Sequence, residues 1–88
     1  MAFKSASNAL STTAEVVATA INPGETGVLV YNADGVITIY VGDSTVDATE
    51  GIPVVAGGSY SVDLHNAEKL YAVAASGTPT VVVQCNNQ

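Results

Sequence analysis

The stretch that decides the fold is VITIYVGDSTVDATEGIPVVAGGSYSVDL, residues 36–64. It holds two β-prone runs, 36–41 and 59–64, separated by a polar loop and a short Ile-Pro-Val-Val segment. The second run alternates apolar with polar residues: Tyr60, Val62 and Leu64 against Ser61 and Asp63. Because successive strand side chains leave opposite faces, this period of two predicts a half-buried strand.

The rest of the chain repeats this unit, with Gly and Pro turns between short β-branched runs and no helical period. The pattern predicts an all-β fold, a small antiparallel β-sandwich or barrel of about seven short strands with an extended N-terminal arm. Asp34-Gly35 predicts a tight hairpin, and a second hairpin is expected around 76–79. Pro53 cannot donate to a ladder, which predicts an edge position. The predicted strands are 15–21, 28–31, 36–41, 52–55, 59–64, 70–75 and 80–84.

The chain is expected to form one domain with two polar ends. Residues 1–14 are predicted to be an N-terminal arm, 15–85 the β-sandwich domain and 86–88 a polar tail. The arm is rich in Ala, Ser, Thr and Asn, so it is either a frayed terminus or a segment that orders on a neighbour with Phe3 as its anchor. Leu10 is the other apolar residue there, and 10–14 are expected to begin pairing.

Parity within each run predicts the core. The expected members are Leu29, Tyr31, Ile37, Ile39, Tyr60, Val62, Leu64, Leu70 and Val81. Tyr40 has the opposite parity to Ile37 and Ile39, which places it on a second face. An outward tyrosine fits sugar binding or a protein interface equally well, because ring and hydroxyl serve both. Phe3, Leu10 and Tyr40 are therefore the candidate interface residues.

Size and charge restrict the partners. The sequence has 88 residues, a net charge of −6, two lysines and no arginine. A chain this small is marginal alone, which favours support from partner chains. The lack of basic residues argues against nucleic acid and anionic membranes. No apolar run reaches the length of a membrane span, and no secretory signal is expected, which predicts a cytoplasmic chain or one released by lysis.

No residue pattern predicts catalysis or a cofactor. His65 follows Asp63 by two residues, but no nucleophile elbow exists, and a solvated turn histidine is the preferred interpretation. Asp43, Asp47 and Glu50 could offer oxygens to calcium, but an acidic solvated loop is favoured and the question stays open. Cys85 is the only cysteine, which excludes a disulfide within these residues.

The chain resembles a family of small all-β proteins encoded among tailed-phage virion genes. The resemblance lies in YVGDSTV (40–46), EGIPVVAGGSYSVDL (50–64) and KLYAVAASGT (69–78). Members typically show Tyr-x-Gly-Gly-Ser-x-Val, Gly-Ile-Pro-Leu-Ala-Ala-Gly and Leu-Tyr-Ala-Ile-Ala before Gly-Thr. This chain departs from that pattern at Asp43 and at Val54-Val55.

The resemblance implies a virion structural protein without enzymatic activity. The expected role is a capsid cement (decoration) protein, made in the host cytoplasm, that binds the outer surface of the assembled head as a homotrimer. Its expected partner is the major capsid protein. The alternative is a tail, neck or head-fibre component with a receptor- or sugar-binding role.

Overall fold

The computed structural model describes residues 2–47 and 49–87, with side chains for 9–47 and 49–86. Within these residues the chain forms eight strands and no helix. The strands are β1 (Ala2–Ala9), β2 (Glu15–Thr19), β3 (Glu25–Asn32), β4 (Ile39–Gly42), β5 (Ile52–Val54), β6 (Ser59–His65), β7 (Lys69–Ala74) and β8 (Thr80–Asn87).

The strands form two four-stranded antiparallel sheets. Sheet A has the order β1-β8-β3-β6, and sheet B has the order β2-β7-β4-β5. The chain passes back and forth between the sheets, and this strand order in two facing sheets is that of a jelly roll. The predicted all-β fold is confirmed. Of the two expected architectures, sandwich and barrel, the chain forms the sandwich.

The N-terminal residues contribute a strand that the sequence pattern did not predict. Strand β1 pairs with β8 along its whole length, from Ala2 opposite Asn87 to Ala9 opposite Thr80. The segment between Leu10 and Ala14, expected to begin pairing, is instead the connection to β2. Strand β8 continues to Asn87, so Asn86 and Asn87 of the predicted polar tail also lie in sheet A.

Both predicted hairpins are wrong, because their strands lie in different sheets. Strand β3 belongs to sheet A and β4 to sheet B, and β7 and β8 are divided in the same way. The Asp34 carboxylate accepts hydrogen bonds from the Val36 and Ile37 N–H groups at 2.8 and 2.7 Å. This side-chain cap turns the backbone out of sheet A, and β4 begins only at Ile39.

The core lies between the sheets, and most of the predicted members are in or against it. Those that are buried as expected are Ile39, Leu64, Leu70 and Val81, while Tyr60 and Val62 pack against the core from partly buried positions. Ile37 is half-buried and lies outside the core cluster.

The parity predicted for β3 is wrong. Its buried residues are Thr26, Val28, Val30 and Asn32, so Leu29 and Tyr31 lie on the outer face, where Tyr31 is 43% exposed. A shift of one residue exchanges the two faces of a strand. The two large side chains of β3 misled the prediction, because a threonine and an asparagine take two of the four inward positions.

Buried Asn32 connects the two sheets. Its Nδ2 donates to the carbonyls of Ile37 and Val54 at 2.8 and 3.0 Å, and its Oδ1 accepts from the Asp34 N–H. Its backbone also exchanges hydrogen bonds with Gly57 and Gly58. The interior polar group is therefore satisfied, and it holds the connections after β3 and β5 together.

The connections lie at two ends of the sandwich. We call one end the top; it contains residues 10–14, 33–38, 55–58 and 75–79. We call the other end the bottom; it contains residues 20–24, 43–51 and 66–68. Five of the eight acidic residues lie in the bottom connections or in the strand residues next to them: Glu25, Asp43, Asp47, Glu50 and Glu68. A sixth, Asp63, lies on β6 two residues before its bottom end. The broad faces between the ends carry few charges.

Candidate functional site

His65 is the last residue of β6 and is exposed at the bottom end. Its Nδ1 lies 3.4 Å from Oε2 of Glu25, which stands directly opposite it in the register of β3 and β6. Both side chains are exposed, so this pair contributes little to stability. The preferred interpretation of a solvated histidine agrees with this position.

The carboxylates of the acidic loop bind their own backbone. The Thr45 hydroxyl and N–H donate to Asp43 at 2.6 and 2.9 Å, and these bonds hold the pKa of Asp43 below its ordinary value. The Thr49 hydroxyl and N–H, then the Glu50 N–H, lower the pKa of Asp47 in the same way. Among the described residues no group of three His, Cys, Asp or Glu side chains is placed to hold a metal ion.

Strand β6 forms one edge of sheet A, and part of its backbone faces away from the sheet. The Asn32 N–H donates to the Gly58 carbonyl in the β3–β6 register, so positions 60, 62 and 64 are those that bond to β3. Ser59, Ser61 and Asp63 alternate with them. Their N–H and C=O groups therefore point to the free edge.

Strand β1 forms the opposite edge of sheet A. The Leu10 N–H donates to the Pro79 carbonyl at 2.9 Å, which continues the β1–β8 register. The backbone groups at the even positions of β1 are therefore those that bond to β8. The backbone groups of positions 3, 5, 7 and 9 thus face outward. Sheet A has a long, regular edge on each side.

The edges of sheet B are short or irregular, and one of them lacks an outward N–H group. The Ala75 N–H donates to the Thr38 carbonyl, so Tyr40 bonds to β7 while Ile39 and Val41 bond to β5. Of the three residues of β5 only Pro53 then faces outward, and proline has no N–H to offer. The other edge, β2, is five residues long and has a register shift between Val16 and Ala18. Pro53 therefore lies at an edge, as predicted.

The outer face of sheet B carries an apolar cluster outside the core. We call it the outer cluster; its members are Val16, Tyr40, Val46, Tyr71 and Val73. Tyr40 stands opposite Val73, and Val16 stands opposite Tyr71. Val73 is only 2% exposed and Val46 only 5%, yet neither belongs to the cluster between the sheets.

Two glycines allow Val46 to fold onto this face. A Cβ at Gly51 would lie 2.5 Å from Cγ2 of Val46 and 3.2 Å from Cβ of Tyr40, and a Cβ at Gly42 would lie 3.3 Å from the same Cγ2. The acidic loop thus attaches to sheet B through one valine above two side-chain-free positions.

The three predicted interface residues have different places. Tyr40 is half-buried in the outer cluster, so its predicted position on a second face is confirmed. Leu10 is 1% exposed and belongs to the core, where its side chain cannot reach a partner. The backbone of Phe3 lies in β1 opposite Asn86, and its side chain is outside the described residues. The sequence analysis missed the backbone edges of sheet A, which no side-chain pattern marks.

Within residues 2–47 and 49–87 there is no helix with the length and apolar character to cross a bilayer.

Comparison with known proteins gives a likeness of fold. No protein-family model and no curated protein matches the sequence. The fold is similar to a solved structure from Bacillus endospore appendages, described as a novel family of disulfide-linked pili. The TM-score is 0.59, the residues are 16% identical, and the alignment covers 98% of this chain and 85% of that chain. That similar protein comes from a structural assembly, and the likeness at this identity is one of fold.

This likeness corrects the phage resemblance. The prediction of a virion cement protein is wrong, because the fold recurs in a pilus protein. The predictions that depended on it are wrong as well: the tail, neck or head-fibre alternative, the major capsid protein as partner, the homotrimer and the capsid surface as location. The motifs behind the resemblance have local causes here. Gly51-Ile52-Pro53 opens a short edge strand, and Gly57 and Gly77 adopt positive φ in turns. Such motifs recur wherever short strands meet tight turns, so they do not distinguish a virion protein from another chain with this jelly-roll fold.

Proposed function

We propose that this chain is a structural, non-enzymatic subunit that polymerises into a fibre, with the β6 edge of one copy pairing with the β1 edge of the next. The observation that carries the proposal is the direction of the two edges. All neighbours in sheet A are antiparallel, so β1 runs parallel to β3 and opposite to β6. A second copy in the same orientation therefore continues the sheet with an antiparallel β6–β1 ladder.

The pleat of the two edges also matches. Outward-facing backbone on β6 belongs to Ser59, Ser61 and Asp63, which stand opposite Tyr31, Leu29 and Gly27 on the outer face of sheet A. Positions 3, 5 and 7 of β1 stand opposite Asn86, Gln84 and Val82, which share that face through their pairing with β3. Residues that pair directly across a ladder must lie on the same face. The join meets this condition without a bulge.

Such a contact uses two different surfaces, so it is heterologous and does not close unless the rotation happens to return to the start. Each copy adds four strands, or about 19 Å at about 4.8 Å per strand. A sheet twist of about 20–25° per strand rotates successive copies by about 80–100°. These values predict the helical symmetry of the fibre.

The similar appendage protein supports a fibre, and the cysteine content sets a difference from its disulfide-linked pili. One thiol forms one disulfide and therefore joins two chains at most. The side chain of Cys85 stands opposite Val28 and packs against the core. In these 88 residues continuity of the polymer must then rest on non-covalent contacts, and we propose backbone pairing for that role.

The test compares two proline substitutions at free-edge positions. Ser61→Pro removes an outward N–H from sheet A without touching the β3–β6 ladder. Thr19→Pro is the matched control on sheet B, because the Ala20 N–H donates to the Glu68 carbonyl and leaves the Thr19 N–H facing outward. Thermal unfolding by circular dichroism verifies that both variants fold.

Negative-stain electron microscopy of the purified chain should show fibres for the wild type and for Thr19→Pro, and none for folded Ser61→Pro. A layer-line spacing near the predicted repeat would support the sheet-A join. Fibres of normal length from Ser61→Pro, or a wild-type chain that stays monomeric at every concentration, would contradict the proposal.

A further inference from the structure

The outer cluster is incompletely covered by its own chain. Val46 and Val73 are buried within it, but Val16 at its margin is 45% exposed, and Tyr40 and Tyr71 are half-buried. Exposed Pro53 continues the apolar surface beyond Tyr40, its partner in the register. The acidic loop covers one side of the cluster through Val46 and leaves the rest open.

The distribution of charge on the chain restricts which partners can bind the outer cluster. The chain has a net charge of −6, and most of its acids lie at the bottom end. The outer cluster itself contains no ionisable side chain other than its two tyrosines, and Lys69 stands at its bottom rim, two residues before Tyr71. Two copies repel one another least when they meet through such a face, whereas a basic partner would prefer the acidic end.

The two outer faces differ in composition. Around Leu29 and Tyr31, sheet A presents one valine, Val82, together with Ser59, Ser61 and Gln84 by register. Sheet B presents two tyrosines, two valines and a proline from its strands, and Val46 adds a third valine from the acidic loop. Aromatic residues are enriched in the cores of protein interfaces, since their rings bury area while the hydroxyl keeps a polar contact.

We propose that the outer face of sheet B binds the same face of a second copy across a twofold axis. In a twofold contact one patch serves both partners, which suits a face whose only distinctive feature is one apolar cluster. The two larger extents of the whole body, 35 × 23 Å, limit any broad face to about 800 Å². That is about the area that one partner contributes to a standard interface. The contact involves neither edge of sheet A, so it is independent of the proposed fibre join.

The experiment measures dimer formation by sedimentation velocity in the Ser61→Pro chain, where edge pairing is blocked. Val16→Lys and Val16→Glu are introduced separately. Val16 is exposed on an edge strand, so both variants should fold. Each should weaken the dimer by at least about tenfold, because each buries an unpaired charge against its own copy. An effect of net charge alone would instead move the two variants in opposite directions.

Val36→Lys is the matched control. Val36 is 86% exposed, far more than Val16, and it belongs to the top connection, outside the strands of sheet B. Its substitution should leave the dimer unchanged. If Ser61→Pro does not fold, the same three variants are measured in the wild-type chain below the concentration at which fibres form.

Each other outcome decides against the contact. A monomeric parent chain, or Val16 variants that dimerise as the parent does, would overturn it. Loss of the dimer in Val36→Lys alone would move association to the top end. The fibre is judged separately: dimers without fibres contradict the fibre proposal alone, and fibres without Val16-dependent dimers contradict this inference alone.

Discussion

Sheets A and B have the same number of strands and the same alternation of direction, yet their edges offer different things to another chain. Sheet A ends in strands of eight and seven residues, with outward backbone groups at positions 3, 5, 7, 9, 59, 61 and 63. Sheet B ends in a five-residue strand with a register shift and a three-residue strand whose outward residue is Pro53. Short strands, irregular register and proline are means by which proteins prevent edge pairing. Because only sheet B has such protection, the edges of sheet A are open to pairing with another chain.

Leu10→Ala should give the largest effect on this comparison, because Leu10 lies in the core where β1 leaves sheet A. The lost burial and the cavity left behind should lower the free energy of unfolding by about 2–5 kcal/mol. Urea denaturation measures the change. Val36→Ala at an exposed site is the control, with an expected change within about 0.5 kcal/mol. Equal effects of the two would remove Leu10 as the anchor of the β1 edge.

Asn32→Ala should rank next, since it breaks the connection between sheet A and the β5 edge of sheet B. The Ile37 and Val54 carbonyls would lose their buried donor, at an expected cost of about 2–4 kcal/mol. Asn32→Asp keeps an acceptor for the Asp34 N–H but brings a buried charge and no donors, so it should cost more than alanine. Urea denaturation in which aspartate is tolerated better than alanine would contradict this account.

Gly51→Ala tests how the acidic loop is attached to sheet B. The new Cβ would overlap with Val46 and crowd Tyr40 and the Val41 carbonyl, at an expected cost of about 1–3 kcal/mol. Gly35→Ala is the control, because nothing lies within 4 Å of its Cβ position. The double variant Gly51→Ala/Val46→Ala should recover part of the loss in thermal unfolding. No recovery would show that Val46 is not the side chain displaced.

The smallest expected effect is on the pH dependence of stability, and it comes from carboxylates in the loops at both ends. Hydrogen bonds from the Ile37 and then the Val36 N–H lower the pKa of Asp34, and the pKa values of Asp43 and Asp47 are lowered as described. A carboxyl group with a depressed pKa in the folded state stabilises the fold above its unfolded pKa, and that contribution disappears as pH falls through the folded pKa. Thermal stability should thus decline below about pH 4. Asp34→Asn should show a shallower decline; an identical profile would exclude Asp34 as a contributor.

The sequence predicted the elements well and their arrangement poorly. Seven of the eight strands overlap predicted ones, because β-branched runs between Gly and Pro turns determine them locally. Strand β1 was missed, since an Ala- and Ser-rich segment becomes a strand through its pairing with β8 rather than through its own propensity. Both hairpins were wrong because jelly-roll connections cross between sheets, which no pair of neighbouring runs reveals.

The candidate site, like the fold, could be predicted from the sequence only in part. Tyr40 on a second face and Pro53 at an edge follow from parity and from the missing N–H. Leu10 was taken for an interface residue because its polar neighbours conceal that it is core. The open edges of sheet A are backbone features, and they became visible only when the registers of β1 and β6 were known.

The gathering of acids at the bottom end has a consequence for any polymer made through sheet A. Copies joined in one orientation present their bottom ends along one winding margin. A net charge of −6 per copy over about 19 Å is about one charge per 3 Å, close to the spacing along one strand of DNA. The fibre would thus behave as a polyelectrolyte with a condensed layer of counterions. Its stiffness and its tendency to associate would follow the valence of the cations around it.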